Sequence, residues 1–315
     1  MGKIAFLFPG QGSQAVGMGV QLSKDESICA DVIKRADEKL GYSLSEIMAE
    51  GPEETLRRTE HTQPALVTVS VAVLQLLKEA GIEADYAAGH SLGEYSALVA
   101  AGALSFEDAV YAVHKRGVFM EEAVPFGEGA MAAVLGLDQD LLTEVCLKVQ
   151  ANGDVAELAN LNCPGQIVIS GSAKGVELAG EQAKEKGAKR VIPLTVSGPF
   201  HSSLMKPASE KLKTVLRDLN VENAKIPVIA NVTATAQTNA SSIEDHLIQQ
   251  VYSPVRWEET VNALLEFGVD TFVEVGTGNV LTGLVKKVNR RAKAFAVSDR
   301  ESLQKMIDKL EEVKN

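Results

Sequence analysis

The sequence predicts an α/β fold in which a parallel sheet forms a large domain and a smaller domain is inserted into it. Apolar segments of strand length alternate along the chain with segments of helical periodicity, which is typical of this class. A serine stands between two glycines where a predicted strand passes into a helix. Between residues 127 and 196 the predicted order changes to β-α-β-β-α-β, which indicates the inserted domain.

The composition disfavours several classes of protein. The chain has 315 residues, of which 45% are hydrophobic and 23% charged, enough for a sizeable core and roughly two domains. Its 31 Lys and Arg against 42 Asp and Glu give a net charge of −11, which disfavours binding to nucleic acid or to anionic lipid. An anionic substrate must therefore be held by a few individually placed cations.

The cysteines and apolar segments indicate a protein of the reducing cytoplasm. Cys29, Cys146 and Cys163 are too scattered for a disulfide framework or a metal site. The apolar start of the chain is too short for a signal peptide. The longest apolar stretch, Leu66–Leu77, contains polar residues and cannot span a bilayer. We therefore expect a cytoplasmic protein with no membrane segment and no bound metal.

The first part of the chain is expected to supply strands and helices to the large domain. Short apolar runs predict strands at Ile4–Phe8 and Asp85–Ala88. Helices are predicted at Ala65–Ala80, at Leu92–Ala101 and after Ser105. Ser105 is expected to cap the third helix, because Asp108 stands at its third position as in a capping box.

The middle of the chain predicts a ferredoxin-like domain. Strands are predicted at Met131–Leu137, Ala156–Leu161, Gln166–Ser170 and Arg190–Val196, with helices at Asp140–Val149 and Lys174–Lys186. This is the split β-α-β-β-α-β order of that fold. Joints rich in glycine precede and follow it, so we expect residues 127–196 to form the inserted domain and residues 1–126 and 197–315 the large one.

The last part of the chain returns to the pattern of the large domain. The predicted elements are a helix at Leu204–Leu219, a strand at Val228–Val232, helices around 243–251 and 257–267, a strand at Thr271–Val275, a helix at 280–290, a strand at Ala294–Val297 and a final helix from Leu303. These elements complete the alternation of strands and helices.

The segment Gly89-His90-Ser91-Leu92-Gly93 has the pattern G-x-S-x-G between a predicted strand and a predicted helix. The two glycines permit a tight turn that raises a serine hydroxyl at a helix N-terminus, where backbone N–H groups can hold an oxyanion. We therefore predict a nucleophilic Ser91 and a large domain of α/β-hydrolase-like architecture, with a structural turn as the alternative.

Of the five histidines, His201 is the best candidate for the base. It lies on the rigid loop Ser197–Ser202, which leaves a strand and enters a helix, where catalytic residues are common. His90 lies inside the turn and is expected to point away from a substrate. His61 and His114 lie in charged helical segments that are expected to face solvent. A histidine that only stabilises the loop remains the alternative for His201.

Seven segments carry a resemblance to a known family: Phe8–Gln14, Thr62–Leu66, Gly89–Leu98, Arg116–Met120, Asn160–Gly171, Gly198–Lys206 and Pro254–Trp257. Through them the chain resembles, almost from end to end, the malonyl-CoA:acyl-carrier-protein transacylases of fatty acid synthesis. The loop Gly276–Val280 departs from the family pattern, which usually has a proline there.

The resemblance implies transfer of malonyl from malonyl-CoA to the phosphopantetheine thiol of acyl carrier protein through a malonyl-serine ester. It implies Ser91 as the nucleophile, His201 as the general base and the main-chain carbonyl of Gln250 as the group that orients the histidine. The backbone N–H groups of Gln11 and Leu92 would hold the oxyanion. Both residues follow tight glycine turns at strand ends, which agrees with this role.

Further residues match positions that contact the malonyl group in the family. Arg116 matches the arginine that binds malonate, since a planar guanidinium can hold a carboxylate through two hydrogen bonds. An ordinary helix ion pair with Glu121 or Glu122 is the alternative. Phe200 is expected beside the α-carbon of malonyl, or simply packed on its loop. Three further residues match polar residues that line the family's cleft, namely Gln63, Asn160 and Asn162. The alternative is that their side chains merely stabilise loops.

Two other functions remain open. An esterase of the α/β-hydrolase class shares the serine turn, but it expects an acidic residue between the serine and a late histidine and a Gly-rich oxyanion loop. A non-catalytic module that binds carrier protein would not need Ser91, His201 and Arg116 together. The resemblance implies no bound cofactor, with the coenzyme A thioester as substrate, and we expect a monomer.

An acidic carrier protein would need a local basic surface on a chain of net charge −11. The densest cationic segment contains Lys286, Lys287 and Arg290, and a second lies at Lys189 and Arg190 on the inserted domain. Cations are also favoured at a helix C-terminus for local reasons, which is the alternative for the first group.

Overall fold

A computed structural model describes residues 2–125 and 127–312 of the chain. Elements are numbered along the chain. The strands are β1 (Lys3–Phe8), β2 (Tyr86–Gly89), β3 (Gly129–Leu135), β4 (Ala156–Cys163), β5 (Gln166–Ser172), β6 (Arg190–Pro193), β7 (Val228–Ile229), β8 (Ala236–Gln237), β9 (Val269–Val275) and β10 (Lys293–Val297). They form two sheets.

The helices are α1 (Val20–Asp25), α2 (Ser27–Leu40), α3 (Leu44–Glu50), α4 (Glu53–Arg57), α5 (Thr59–Glu79), α6 (Gly93–Ala100), α7 (Phe106–Glu122), α8 (Gln139–Ala151), α9 (Ala173–Glu185), α10 (Lys206–Arg217), α11 (Ala240–Gln250), α12 (Trp257–Glu266), α13 (Val280–Val288) and α14 (Arg300–Glu312). A short 3₁₀ turn, Ser203–Met205, precedes α10. Within the described residues, every helix falls short of the length or the apolar character that a bilayer crossing needs.

The larger sheet has the order β10-β9-β1-β2-β7-β8. Its first five strands are parallel, and β8 runs antiparallel to β7 at one edge. The carboxyl ends of β1 and β2 lie side by side, because Phe8 pairs with Gly89. Loops from these ends meet above one edge of the sheet, where α/β folds usually place their sites.

The smaller sheet has the order β4-β5-β3-β6 with antiparallel neighbours, and α8 and α9 complete the unit. This is the strand order of a ferredoxin-like fold, so the predicted α/β architecture with such an insertion is confirmed. The bounds 127–196 of the inserted domain stay a prediction.

Backbone hydrogen bonds join the edge of the smaller sheet to the larger part of the molecule. Leu161 N donates to Val255 O at 2.9 Å, and Val255 N donates to Ala159 O at 2.8 Å. Asn160 and Val255 thereby form a parallel bridge between β4 and the segment that leads into α12. The small sheet is therefore attached to the large part through β4 as well as through its chain connections.

Helix α5 is buried along almost its whole length, because it is apolar on all sides. It begins at Thr59, earlier than the predicted Ala65, since polar residues of its first turns have partners inside the protein. Thr62 Oγ1 donates to Leu56 O at 2.5 Å, for example. The predicted cap of α7 is confirmed, because Ser105 Oγ accepts from the Asp108 N–H at 3.0 Å.

Other expectations differ from the structure. The strand expected at Val228–Val232 ends at Ile229, and the strand expected at Arg190–Val196 ends at Pro193. The predicted solvent positions of His61 and His114 are wrong. Both rings are half-buried, with Nδ1 of each bound to a main-chain carbonyl, and both lie against the ring of Tyr42.

Candidate active site

The turn between β2 and α6 presents Ser91 in a left-handed conformation, with φ of 53°. The turn is so tight that only glycine fits at its two ends. A Cβ on Gly89 would lie 1.9 Å from the carbonyl carbon of Gly93, and a Cβ on Gly93 would lie 2.2 Å from Phe8 O. The two glycines thus allow α6 to start directly against the ends of β1 and β2.

Side chains hold the backbone of Ser91 on both sides. Its N–H donates to Asn231 Oδ1 at 2.7 Å, and its carbonyl accepts from Gln250 Nε2 at 3.0 Å. Asn231 Nδ2 also donates to Gly89 O at 2.7 Å. These contacts offset a left-handed conformation that costs a non-glycine residue about 1–2 kcal/mol.

The Ser91 hydroxyl lies 2.8 Å from Nε2 of His201, which is itself left-handed, with φ of 59°. His201 Nδ1 lies 2.8 Å from the main-chain carbonyl of Gln250. A carbonyl can only accept, so Nδ1 carries the proton and the lone pair of Nε2 faces the serine. Burial, followed by the positive charge of Arg116, lowers the pKa of His201 to about 3, so the ring is neutral at pH 7 and can take a proton.

Arg116 is 1% exposed and lies beside the same hydroxyl. Its Nη2 donates to Ser91 Oγ at 3.0 Å and to Gln250 Oε1 at 3.0 Å, while Nη1 donates to Gln63 Oε1 at 2.9 Å. Its buried Nε has no partner within the described residues. The site therefore places a cation with spare donor capacity next to a nucleophile.

The alternative of a helix ion pair for Arg116 is wrong. Glu121 Oε1 accepts the N–H of Thr59 at 2.6 Å, and Glu122 Oε2 accepts from Lys211 Nζ at 2.7 Å. Among residues 2–125 and 127–312, no carboxylate lies within ion-pair distance of Arg116.

The backbone N–H groups of Gln11 and Leu92 follow the ends of β1 and β2. Neither donates to a protein acceptor among the described residues. Two such donors, which follow adjacent strand ends, are available for an oxyanion, as the predicted role requires.

A cavity of about 310 Å³ opens over these groups. Its lining includes Gln11, Ser91, Arg116, Asn160, Phe200 and His201. Asn160 belongs to β4 of the small sheet, and the segment Leu194–Val196 after β6 forms another part of the wall. The site therefore lies in a cleft between the two sheets.

Two of the other predicted polar residues do not line this cavity but bind residues that do. Asn162 Oδ1 lies 2.9 Å from Nε2 of His90, whose ring packs on Trp257. Gln63 binds Arg116 and donates to Met120 Sδ at 3.7 Å. Their contacts orient neighbours of the site.

The predicted cationic residues are all exposed. Lys286 Nζ donates to Ala292 O at 2.5 Å, beyond the end of its own helix, and Lys287 Nζ donates to Gln166 Oε1 at 2.7 Å on the small sheet. Lys189 and Arg190 lie at the start of β6. Lys286 and Lys287 lie in the last turn of α13, as the alternative requires, and their part in docking stays a prediction. No cluster of three metal-binding side chains occurs in the part of the chain that the structure describes.

Asn231 and Glu94 also support the site, although neither was predicted from the sequence. Glu94 is fully buried and accepts hydrogen bonds from the side chain of Gln250 and the N–H of Asn231. An acidic residue in the first turn of a helix that starts at a glycine turn is the signal that could have identified Glu94. Asn231 follows a short strand with no such signal.

A family model described as an acyl transferase domain matches residues 5–312. The chain is 60% identical over 312 residues to malonyl CoA-acyl carrier protein transacylase of Bacillus subtilis, covering 99% of this chain and 98% of the relative. The structure matches the malonyl CoA-acyl carrier protein transacylase of Coxiella burnetii with a TM-score of 0.95, at 41% identity and 97% coverage of each chain.

A second solved structure is a malonyl-transacylase in complex with a type II polyketide acyl-carrier protein. It matches with a TM-score of 0.93 and 44% identity, over 96% of this chain and 98% of that one. The likeness therefore extends over both sheets and the cleft between them.

Proposed function

Because this chain belongs to the acyl transferase domain family, we propose that it moves a malonyl group from malonyl-CoA to the phosphopantetheine thiol of acyl carrier protein. The transfer runs through an ester on Ser91 and supplies fatty acid synthesis. The protein acts in the cytoplasm as a monomer, with the coenzyme A thioester as a substrate and no resident cofactor.

One observation carries the choice of malonyl over a neutral acyl group. The guanidinium of Arg116 is buried, has an unpartnered Nε and lies 3.0 Å from Ser91 Oγ. A buried cation is costly unless an anion accompanies it. The free carboxylate of a malonyl thioester supplies that anion beside the nucleophile.

In the first half of the reaction, Ser91 Oγ attacks the thioester carbonyl carbon while His201 Nε2 accepts the hydroxyl proton. The carbonyl oxygen becomes an oxyanion held by the N–H groups of Gln11 and Leu92. Collapse of the tetrahedral intermediate breaks the C–S bond. The thiolate of coenzyme A takes the proton from His201, which leaves a malonyl ester on Ser91.

The second half reverses these roles with a different thiol. His201 removes the proton from the phosphopantetheine thiol, whose sulfur attacks the ester carbonyl. The C–O bond of the ester breaks, and the proton returns from His201 to Ser91 Oγ. Since the main-chain carbonyl of Gln250 holds Nδ1 throughout, the base needs no acidic partner.

We propose that carrier protein docks on the exposed cations at the end of α13 and at the start of β6. Lys287 and Arg290, together with Lys189 and Arg190, provide local positive charge on an acidic chain. Complementary charge steers an acidic partner to its site.

Intact-mass analysis after incubation with malonyl-CoA tests the function. We expect one malonyl adduct, which is lost in Ser91→Ala and passes to holo carrier protein when this is added. Transfer should fall roughly 10⁴-fold or more in Ser91→Ala, because the nucleophile and base act as one unit. Rapid hydrolysis of p-nitrophenyl acetate without an adduct would favour an esterase. A protein that binds carrier protein but never forms the adduct would be a binding module.

A further inference from the structure

Glu94 is a fully buried carboxylate to which the reaction steps above give no role. It lies in the first turn of α6, the helix that follows Ser91. Its Oε2 accepts from Gln250 Nε2 at 2.7 Å and from the N–H of Asn231 at 3.1 Å. Its Oε1 accepts from Gln237 Nε2 at 3.1 Å. A position needed for packing alone would be served as well by an apolar side chain, since burying a charge is costly.

Two of the three partners of Glu94, Gln250 and Asn231, are the residues whose side chains hold the backbone of Ser91. Asn231 accepts the Ser91 N–H, and Gln250 donates to the Ser91 carbonyl. The carboxylate thus binds the side chain of Gln250 and the main chain of Asn231, and each of these residues in turn holds the strained turn that presents the hydroxyl.

The amide of Gln250 has only one orientation that satisfies its surroundings. Its Nε2 faces two acceptors, Glu94 Oε2 and Ser91 O, while its Oε1 faces the donor Nη2 of Arg116. A flipped amide would set its oxygen against a carboxylate and its NH₂ against a guanidinium. The negative charge of Glu94 and the positive charge of Arg116 therefore both favour the same orientation of the Gln250 amide.

We propose that Glu94 is a positioning residue for acylation: its ionised carboxylate fixes the Gln250 amide, which in turn holds Arg116 and the Ser91 carbonyl in register with the substrate. The inference rests on the proposed acyl transfer through Ser91. Protonation of the carboxyl would place a hydrogen on an oxygen that already faces a donor, so one of its hydrogen bonds would be lost.

The protonation state of this group changes close to neutral pH. Burial raises the pKa of Glu94 to about 7, although its hydrogen bonds and the charge of Arg116 on α7 lower it. The pKa values of three other titratable groups nearby are shifted in directions that move their titration away from pH 7. Burial raises the pKa of Tyr95 and lowers that of His246, which lies behind Gln237 on α11, while the pKa of His201 is about 3.

The pKa shifts of Glu94 and His201 determine how the rate of acylation should change with pH. The functional carboxylate is present above pH 7 and is lost as pH falls through that value. Acylation of Ser91 should therefore slow below pH 7 because of Glu94, while His201 stays neutral and competent across the same range.

The test is the rate of Ser91 acylation by malonyl-CoA, followed by rapid quench and intact mass from weakly acidic to weakly alkaline pH. The wild type should lose rate on the acid side. Glu94→Gln should lose this dependence and should be roughly tenfold slower at the alkaline end, the equivalent of one charged hydrogen bond. A Glu94→Gln protein that retains the acid-side loss would overturn the inference.

Glu274→Gln is the matched control. Glu274 is also a buried carboxylate, with a pKa raised by burial, and it accepts the N–H groups of Leu281 and Thr282 at the start of α13. Its variant should keep the wild-type pH profile even if it is less stable. The same altered profile in both variants would show a merely structural effect and would overturn the inference.

A second variant acts on Glu94 without replacing it. Gln237→Leu removes the donor to Oε1, so the pKa of Glu94 should rise and the acid-side loss should move up by roughly one pH unit. An unmoved profile would overturn the inference even if Glu94→Gln did not fold. If the wild type forms no adduct on Ser91, the proposed function itself fails, whereas an adduct with an unmoved profile rejects only the role of Glu94.

Discussion

Nη2 of Arg116 donates a hydrogen bond of 3.0 Å to Oγ of Ser91. The hydroxyl that is to be acylated therefore lies against a buried positive charge and, on its other side, against the lone pair of His201. The charge favours an ionised serine oxygen and an anionic acyl group, but it opposes a proton on the imidazole. A carboxylate that binds Arg116 would relieve that opposition, so acyl recognition and base strength are linked through one guanidinium.

Arg116→Ala should lower kcat/KM for malonyl-CoA roughly a hundredfold, which corresponds to about 3 kcal/mol for the lost partner of a buried carboxylate. Acetyl-CoA lacks this carboxylate and should lose far less. Steady-state kinetics with both thioesters measures the difference. Arg300→Ala, which removes a surface arginine bound to Glu26 and Glu79, is the control. Equal losses for the two thioesters would assign Arg116 a structural role alone.

The same variant should change the titration of His201. Burial is the main cause of its low pKa and the charge of Arg116 the next, so Arg116→Ala should raise this pKa while leaving it below the ordinary value of 6.5. Titration of ¹⁵N-labelled imidazole by NMR gives the direct reading. An unchanged pKa of His201 in Arg116→Ala would contradict the coupling between the side chains of Arg116 and His201.

The left-handed conformation of Ser91 should be visible in stability. Ser91→Gly and Ser91→Ala both remove the hydroxyl, but only glycine adopts a φ of 53° without strain. We expect the glycine variant to be more stable by about 1 kcal/mol in urea unfolding. Matching midpoints with equal slopes for the two variants would refute the strain.

Phe200 is buried at the wall of the cleft, next to His201. If its ring lies beside the α-carbon of the malonyl group, a smaller residue should admit an extra methyl group there. We expect Phe200→Ser to raise the use of methylmalonyl-CoA relative to malonyl-CoA when the two compete. An unchanged product ratio would leave Phe200 with a packing role only.

Charge reversal should separate carrier docking from the first half of the reaction. Lys287→Glu with Arg290→Glu should raise the KM for carrier protein while acylation by malonyl-CoA barely changes, and the effect should shrink as salt rises. Lys286→Glu serves as a comparison, because Lys286 Nζ donates to the main chain next to its own helix, whereas Lys287 Nζ extends to Gln166 on the small sheet. We expect the smaller rise in KM for Lys286→Glu. A KM for carrier protein that is unaltered at low ionic strength would exclude Lys287 and Arg290 from docking.

Most of the strands were predictable because they are short apolar runs that alternate with helical periodicity, whereas β8, with only two residues, is too short to show a pattern. The four helices of residues 20–57 were not predicted. Only α2 carries a clear helical pattern, with Cys29, Val32, Ile33 and Ala36 all on its buried face. The other three are too short to show a full period and depend on packing in the folded protein.

The candidate site was predictable where chemistry and local sequence coincide, as for Ser91 in its glycine turn. The residues that hold Ser91 in place were not predictable, because their contacts join residues that are far apart in the sequence. Asn231 stands 140 positions from the serine N–H that it accepts, and Gln250 stands 156 positions from the carboxylate of Glu94. Such long-range hydrogen bonds leave no periodic trace in the chain.

The bridge between β4 and Val255 has a mechanical consequence for turnover. If the small sheet were attached to the large part only by its two chain connections, it could rotate about the line that joins them. Rotation of the small sheet away from the large one would break the two backbone hydrogen bonds of this bridge. Any widening of the cleft by that motion between the two half-reactions would therefore cost these hydrogen bonds, about 1 kcal/mol each.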